Sequence, residues 1–113
     1  MAEATNCEIL ARVFRALSVQ SRVRIVRLLA GRTLCVGALS NLLGISAGAV
    51  SQHLRILRDA GLVEADRRGY FIHYHLAPGA AKRCRAAMNC IFGPTKGGRQ
   101  CAAERRSVKG RRT

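Results

Sequence analysis

Through the first half of the chain apolar residues return every three or four positions, the period of a helix with one buried face. Ile9, Leu10, Val13, Phe14 and Leu17 mark such a face and predict a helix from Asn6 to Leu17, broken by Ser18-Val19-Gln20. Val23, Ile25, Val26 and Leu29 predict a second helix from Ser21 to Ala30, with Ser21 as its N-cap and Gly31 as its end. A short third helix fits Val36 to Leu43, carrying Leu39, Leu42 and Leu43 inward, and Gly44 suits its C-terminal cap. Ser46 then caps a longer helix that reaches Ala60 and stops at Gly61. From Leu62 to Leu76 the period changes to two: Tyr70, Ile72, Tyr74 and Leu76 alternate, and Arg67-Arg68-Gly69 marks a hairpin tip. Pro78 opens a last helix to Phe92, and Gly93-Pro94 stops it.

Helix, short helix, tight turn, longer helix and β-hairpin is the order of a winged helix-turn-helix. The expected fold is therefore mainly α, about five helices plus a β-hairpin wing. With 113 residues the chain is sized for one domain, placed at residues 1–92. Residues 93–113 hold seven Lys or Arg against one Glu among several glycines, which predicts a mobile basic tail. Apolar residues make up 49% of the chain but aromatics only 4%, so the core must be aliphatic. The net charge of +14 selects for polyanionic partners and says little about fold. The longest apolar run is too short to span a bilayer, and the first seven residues lack the basic start and apolar stretch of a signal peptide. Five cysteines, an odd number without an export signal, argue for free thiols in a reducing cytoplasm rather than a disulfide framework. No catalytic triad, paired carboxylate, phosphate loop or nucleotide-binding motif appears, so an enzyme is not expected.

On the longer helix Val50, Leu54 and Leu57 form one stripe, and Gly48, Ser51, Gln52 and Arg55 lie on the opposite side by the helical period. That face is small and hydrogen-bonding near its N-terminus, which suits entry into the major groove of DNA. Gln52 can pair bidentately with adenine, Arg55 can reach guanine or phosphate, and His53 stands beside them in the same run. Ser46 and Ala47 place backbone N–H groups where a phosphate can bind. At the hairpin tip Arg67 and Arg68 are placed for DNA backbone or minor groove. The plain alternatives are a solvated helix face and a solvated turn. His73 and His75 share a strand face and can chelate a metal, but such a pair is more often the polar side of a half-buried hairpin.

The run from Ala49 to Val63, Ala-Val-Ser-Gln-His-Leu-Arg-Ile-Leu-Arg-Asp-Ala-Gly-Leu-Val, resembles the recognition-helix signature of ArsR/SmtB-type metal-responsive repressors. The similarity continues through Arg67-Arg68-Gly69-Tyr70 and His73-Tyr74, and begins at Phe14-Arg15-Ala16-Leu17-Ser18 and Ser21-Arg22-Val23-Arg24-Ile25. The resemblance implies a homodimer formed by the first and last helices. That dimer would bind a palindromic operator in double-stranded DNA, need no cofactor to do so, and be released by an inducer.

The cysteines bear on the inducer. Arsenic- and cadmium-type members open the helix before the turn with Cys-Val-Cys-Asp-Leu. Here the matching run is Cys35-Val36-Gly37-Ala38-Leu39-Ser40, so Gly37 and Ser40 stand where further thiols would be. The zinc type carries Asp and His on the last helix, and Pro78 to Phe92 contains neither. That leaves Cys84, on the apolar stripe Ala81, Cys84, Met88, Ile91 expected at the dimer seam, with Cys90 and the tail residue Cys101. Three thiolates suit trivalent arsenic or antimony, and soft ions such as Cd(II), Pb(II), Zn(II) or Cu(I) are further candidates. Cys84 serves equally well as a buried structural thiol. Cys7 and Cys35 form the fallback pair. The expected function is a repressor released when thiolates capture the metalloid. The alternative is a thiol-redox or persulfide sensor in which Cys35 or Cys7 bridges to a last-helix cysteine, and a non-specific DNA coater is a more distant rival.

Overall fold

A computed structural model describes residues 6–93. Its elements run α1 (Asn6–Ala16), α2 (Gln20–Leu29), β1 (Leu34–Cys35), α3 (Val36–Leu43), α4 (Ala47–Asp59), β2 (Val63–Arg68), β3 (Phe71–Leu76) and α5 (Ala80–Phe92). The predicted tail and Cys101 lie outside the described residues. The chain divides into two compact units at Ala81/Lys82, the first holding α1 to α4 and the strands, the second most of α5.

The first unit has an aliphatic centre. Ile25 and Leu29 of α2, Leu39 of α3, Val50, Leu54 and Leu57 of α4 and Val63 of β2 are each less than 2% exposed. Every one sits where helical or strand period turns it inward, and burial of such a side chain stabilises the fold by about 1.5–3 kcal/mol. α2, α3 and α4 pack on one another, and β2 packs on α4. The strands form an antiparallel sheet in the order β1-β3-β2, with Val63 opposite Leu76, Ala65 opposite Tyr74 and Arg68 opposite Phe71.

The boundaries depart from the sequence expectation in several places. α2 starts at Gln20 with Val19, not Ser21, at the N-cap, and no side chain caps it. The Val19 carbonyl accepts from the N–H of Arg22 at 2.9 Å and of Val23 at 3.2 Å, so the backbone alone starts the helix and Ser21 falls inside it. Leu42 is not inward but 50% exposed. Leu39 and Leu43, four residues apart, occupy the narrow buried stripe of this short helix, and Leu42 is rotated about 100° from Leu43. Pro78 and Gly79 form a turn before α5 rather than its first residues, Gly79 having a positive φ of 77°. The hairpin turn itself is Gly69-Tyr70: Gly69 at φ 65° takes the first central place, where a two-residue loop favours glycine, and Tyr70 stands outside the strand. β1 has no counterpart in the sequence reading, because two residues carry no period.

Candidate nucleic-acid interface

The turn between α3 and α4 is built by three side-chain and backbone devices. Gly44 closes α3 in the left-handed conformation, φ 73° and ψ 29°, and donates its N–H to the Ser40 carbonyl at 2.8 Å. Ser40 Oγ reaches across the turn and donates to the Ile45 carbonyl at 2.6 Å. Ser46 is extended, as an N-cap should be, and its Oγ accepts from the Ala49 N–H at 3.1 Å. These bonds set the direction in which α4 leaves the turn.

With Val50, Leu54 and Leu57 locked in the core, the other side of α4 is committed to solvent. Ser46, Ala47, Gly48, Ser51, Gln52 and Arg55 are all exposed, and His53 is half-buried at the flank. Gly48 is instructive: a Cβ built there meets nothing closer than Ser46 Oγ at 4.0 Å, and its φ is not positive. Packing does not require the glycine. Its effect is to keep the outer surface of the first turn low.

Arg67 and Arg68 occupy the last two positions of β2, both exposed. Successive strand residues face opposite ways, so the two arginines leave the wing on different sides. Arg68 Nε lies 3.4 Å from Asp66 Oδ2, a solvent-exposed pair of small energetic weight. Tyr70 at the turn is 96% exposed and Phe71 beside it 63%.

The four described cysteines fall on three elements. Cys7 is exposed on the first turn of α1; Cys35 is half-buried at the end of β1; Cys84 and Cys90 are half-buried on α5. Cys90 lies six positions after Cys84 on the helix, about 9 Å of rise and about one and two-thirds turns, so the two sulfurs do not converge on one point within one helix. Among the described residues no three His, Cys, Asp or Glu side chains gather into a metal cage. The sheet does bring together residues that the sequence keeps apart. Cys35 of β1 stands opposite His73 of β3, and His73 stands opposite Asp66 of β2, placing the three on one face. His73 Nδ1 is buried without a partner, while His75 Nε2 lies 3.3 Å from Glu64 Oε1. A second feature absent from the sequence reading is Arg22 of α2, whose charge acts on His53 of α4. Neither pairing has a sequence signal, since both join elements distant along the chain.

The α3-turn-α4 unit, the exposed polar face of α4 and the two-stranded wing together define a winged helix-turn-helix transcription regulator that binds DNA. Residues 20–65 match the family described as "Bacterial regulatory protein, arsR family". The chain is 38% identical over 64 residues to the transcriptional repressor SdpR of Bacillus subtilis, covering 57% of this chain and 71% of SdpR. It is 37% identical over 67 residues to the arsenic resistance transcriptional regulator ArsR1 of Pseudomonas putida, covering 58% of this chain and 52%, about half, of that relative. Among solved structures, the homodimeric winged helix-turn-helix DNA-binding domain of Mb0332 from Mycobacterium bovis superposes with a TM-score of 0.65 at 30% identity, covering 80% of this chain and 89% of that one. The chain belongs to the arsR family of bacterial transcription regulators, a family of regulators rather than enzymes. No helix among the described residues is long and apolar enough to cross a membrane.

Proposed function

We propose that this chain is a repressor that binds a palindromic operator as a homodimer and leaves it when its cysteine thiolates bind trivalent arsenic, antimony or another soft metal ion. The observation that carries the DNA half is the exposed face of α4, small at Gly48 and hydrogen-bonding at Ser51, Gln52 and Arg55, opposite a fully buried stripe. Gln52 and Arg55 read base edges in the major groove; Ser46 and Ala47 present backbone N–H groups to a phosphate; Arg67 and Arg68 hold the flanking backbone. The homodimer draws support from the homodimeric Mycobacterium bovis relative. It draws support too from apolar side chains left outside: Ile9 and Phe14 on α1, and Met88, Ile91 and Phe92 on α5.

The inducer site is assigned to Cys90 and Cys101, with Cys84 as third thiolate. The helical separation of Cys84 from Cys90 makes Cys84 of the partner subunit the better completion of the set. Three soft sulfur donors suit As(III) and Sb(III), and the name of ArsR1 supports arsenic among the candidates. Cys35 and Cys7 are the alternative ligands. A redox reading is favoured by a different observation: Cys35 carries a free thiol, and a disulfide with a last-helix cysteine needs only two sulfurs, which give up two protons and two electrons to an oxidant.

The test is a gel-shift assay with the reduced full chain on its upstream DNA, titrating arsenite, antimonite, cadmium, lead, zinc and peroxide separately. Stoichiometric release by arsenite or antimonite is expected. Cys90→Ser and Cys101→Ser should each keep DNA binding and lose the response, because serine is a far poorer ligand for soft ions. Normal release in both, with loss in Cys35→Ser, moves the sensor to Cys35 and Cys7. Release by peroxide alone replaces metal capture with thiol oxidation.

A further inference from the structure

The tip of the wing carries an aromatic pair that neither the core nor a phosphate contact by Arg67 and Arg68 explains. Tyr70, at 96% exposure, is the most exposed large hydrophobic side chain among the described residues, and Phe71 after it is 63% exposed. Gly69, at φ 65°, already supplies the conformation that the two-residue turn needs, so the second place has no need of a ring. The register pairs Arg68 with Phe71 and Arg67 with Ile72. Cross-strand partners share a face, so each side of the tip holds one arginine beside one apolar residue, with Tyr70 at the apex between them. Of the two acidic residues of β2, Asp66 is engaged by Arg68 at 3.4 Å, and Glu64 lies 3.3 Å from His75 nearer the base. Apolar surface left in water is a cost, and a polyanion with an apolar lining would cover it where the arginines already stand.

We propose that Tyr70 reads the minor groove of the operator: its ring enters between the sugar walls, and its hydroxyl donates to an acceptor on the groove floor, adenine N3 or thymine O2. This rests on the reading of α4 as the recognition helix and commits the wing tip to double-stranded DNA. Groove size selects the minor groove. A two-stranded ribbon needs the major groove, about 12 Å wide, whereas the minor groove, about 6 Å wide, admits a single side chain from the tip. The strands then stop at the groove mouth, where Arg67 and Arg68, on opposite faces, meet the phosphates of the two walls. Reach agrees with this. The six residues of β2 span about 17 Å from first to last, and half a turn of DNA, the step from a major groove to the adjoining minor groove, is also about 17 Å. The base of the hairpin is tied to the end of α4, the Leu62 N–H donating to the Leu57 carbonyl at 2.9 Å. The contact carries sequence information. An A·T floor presents acceptors alone, whereas G·C adds the guanine N2 amino group, a donor that opposes the hydroxyl proton and obstructs the ring. Tyr70 thus separates A·T from G·C outside the bases that α4 reads.

The experiment is fluorescence anisotropy of the full chain on its footprinted operator, with the minor-groove segments half a turn from each half-site centre rebuilt as A·T, G·C or inosine·C pairs. Inosine is guanosine without the N2 amino group, so inosine·C resembles G·C from the major groove and A·T from the minor. The wild type should bind A·T and inosine·C flanks alike and G·C about three- to tenfold more weakly for each rebuilt flank, the worth of one hydrogen bond. Tyr70→Ala should bring all three flanks to one common, weaker affinity. Tyr70→Phe should also level them, while binding more tightly than Tyr70→Ala because it keeps the ring. Thermal melts of both variants should match the wild type, since the side chain lies outside the core. Inosine·C flanks as weak as G·C, a flank preference that survives in Tyr70→Ala or Tyr70→Phe, or wild-type binding by Tyr70→Ala overturns the proposal. So does a fall in self-association of Tyr70→Ala in sedimentation without DNA, which would assign the ring to a contact between copies of the chain. Loss of the recognition-helix reading would show differently, as Gln52→Ala and Arg55→Ala binding like the wild type.

Discussion

Gly48 sits in the first turn of α4 although neither space nor backbone conformation asks for it. Glycine there lowers helix propensity, so a benefit outside the fold is the physical reason to keep it. Close approach to a groove supplies one. Beside it the division of labour along α4 is sharp: Leu54 is 1% exposed, whereas Gln52 and Arg55, two residues before it and one after, are exposed. Gln52→Ala and Arg55→Ala should therefore leave the thermal unfolding curve nearly unchanged and remove operator recognition. Each good bidentate base contact carries about 1–3 kcal/mol of discrimination, so specific binding should fall toward the non-specific level. Footprinting alongside thermal melts checks both halves of the expectation.

At the scale of elements, the wing and α4 are joined by a short, well-defined connection. The Leu62 N–H donates to the Leu57 carbonyl at 2.9 Å, and the Ala77 N–H donates to the Leu62 carbonyl at 2.9 Å, tying both ends of the hairpin to the end of α4. The hairpin thus projects from a fixed base, and its tip carries Arg67 and Arg68 toward opposite sides. One of them is already partnered by Asp66, at 3.4 Å. Arg67→Ala with Arg68→Ala should weaken binding evenly across DNA sequences, because phosphate contacts carry no sequence information. The slope of log affinity against log salt should flatten by about 0.9 for each phosphate that an arginine no longer neutralises. A fluorescence-anisotropy titration at several salt concentrations on operator and scrambled DNA measures this. Altered sequence preference at constant affinity would contradict the positioning role.

At the scale of the whole molecule, α5 carries three large apolar residues outward: Met88 at 39%, Ile91 at 49% and Phe92 at 75% exposure. Replacing one of them with a charge tests the proposed dimer, since a carboxylate left unpaired in an apolar interface is strongly destabilising. Ile91→Asp should shift sedimentation equilibrium to the monomer and lower operator affinity, while circular dichroism of the isolated chain stays helical.

Much of this protein is written in contiguous runs of residues. The switch in apolar period, the cap at Ser46, the glycine at Gly44 and the spacing of Val50, Leu54 and Leu57 are local signals, and they determine the helix-turn-helix, the wing and the outward face of α4. Other features have no local signal. That Cys35 stands opposite His73 depends on a two-residue strand finding β3, and that the charge of Arg22 acts on His53 depends on how α2 packs on α4. Apolar character alone points Leu42 inward, but burial is shared out by neighbouring elements, and α3 is too short to bury more than one stripe. The tertiary structure decided these matters because period and caps act between residues within a turn or two of each other. Cross-strand and cross-helix partners are chosen instead by packing between segments that the chain itself holds far apart.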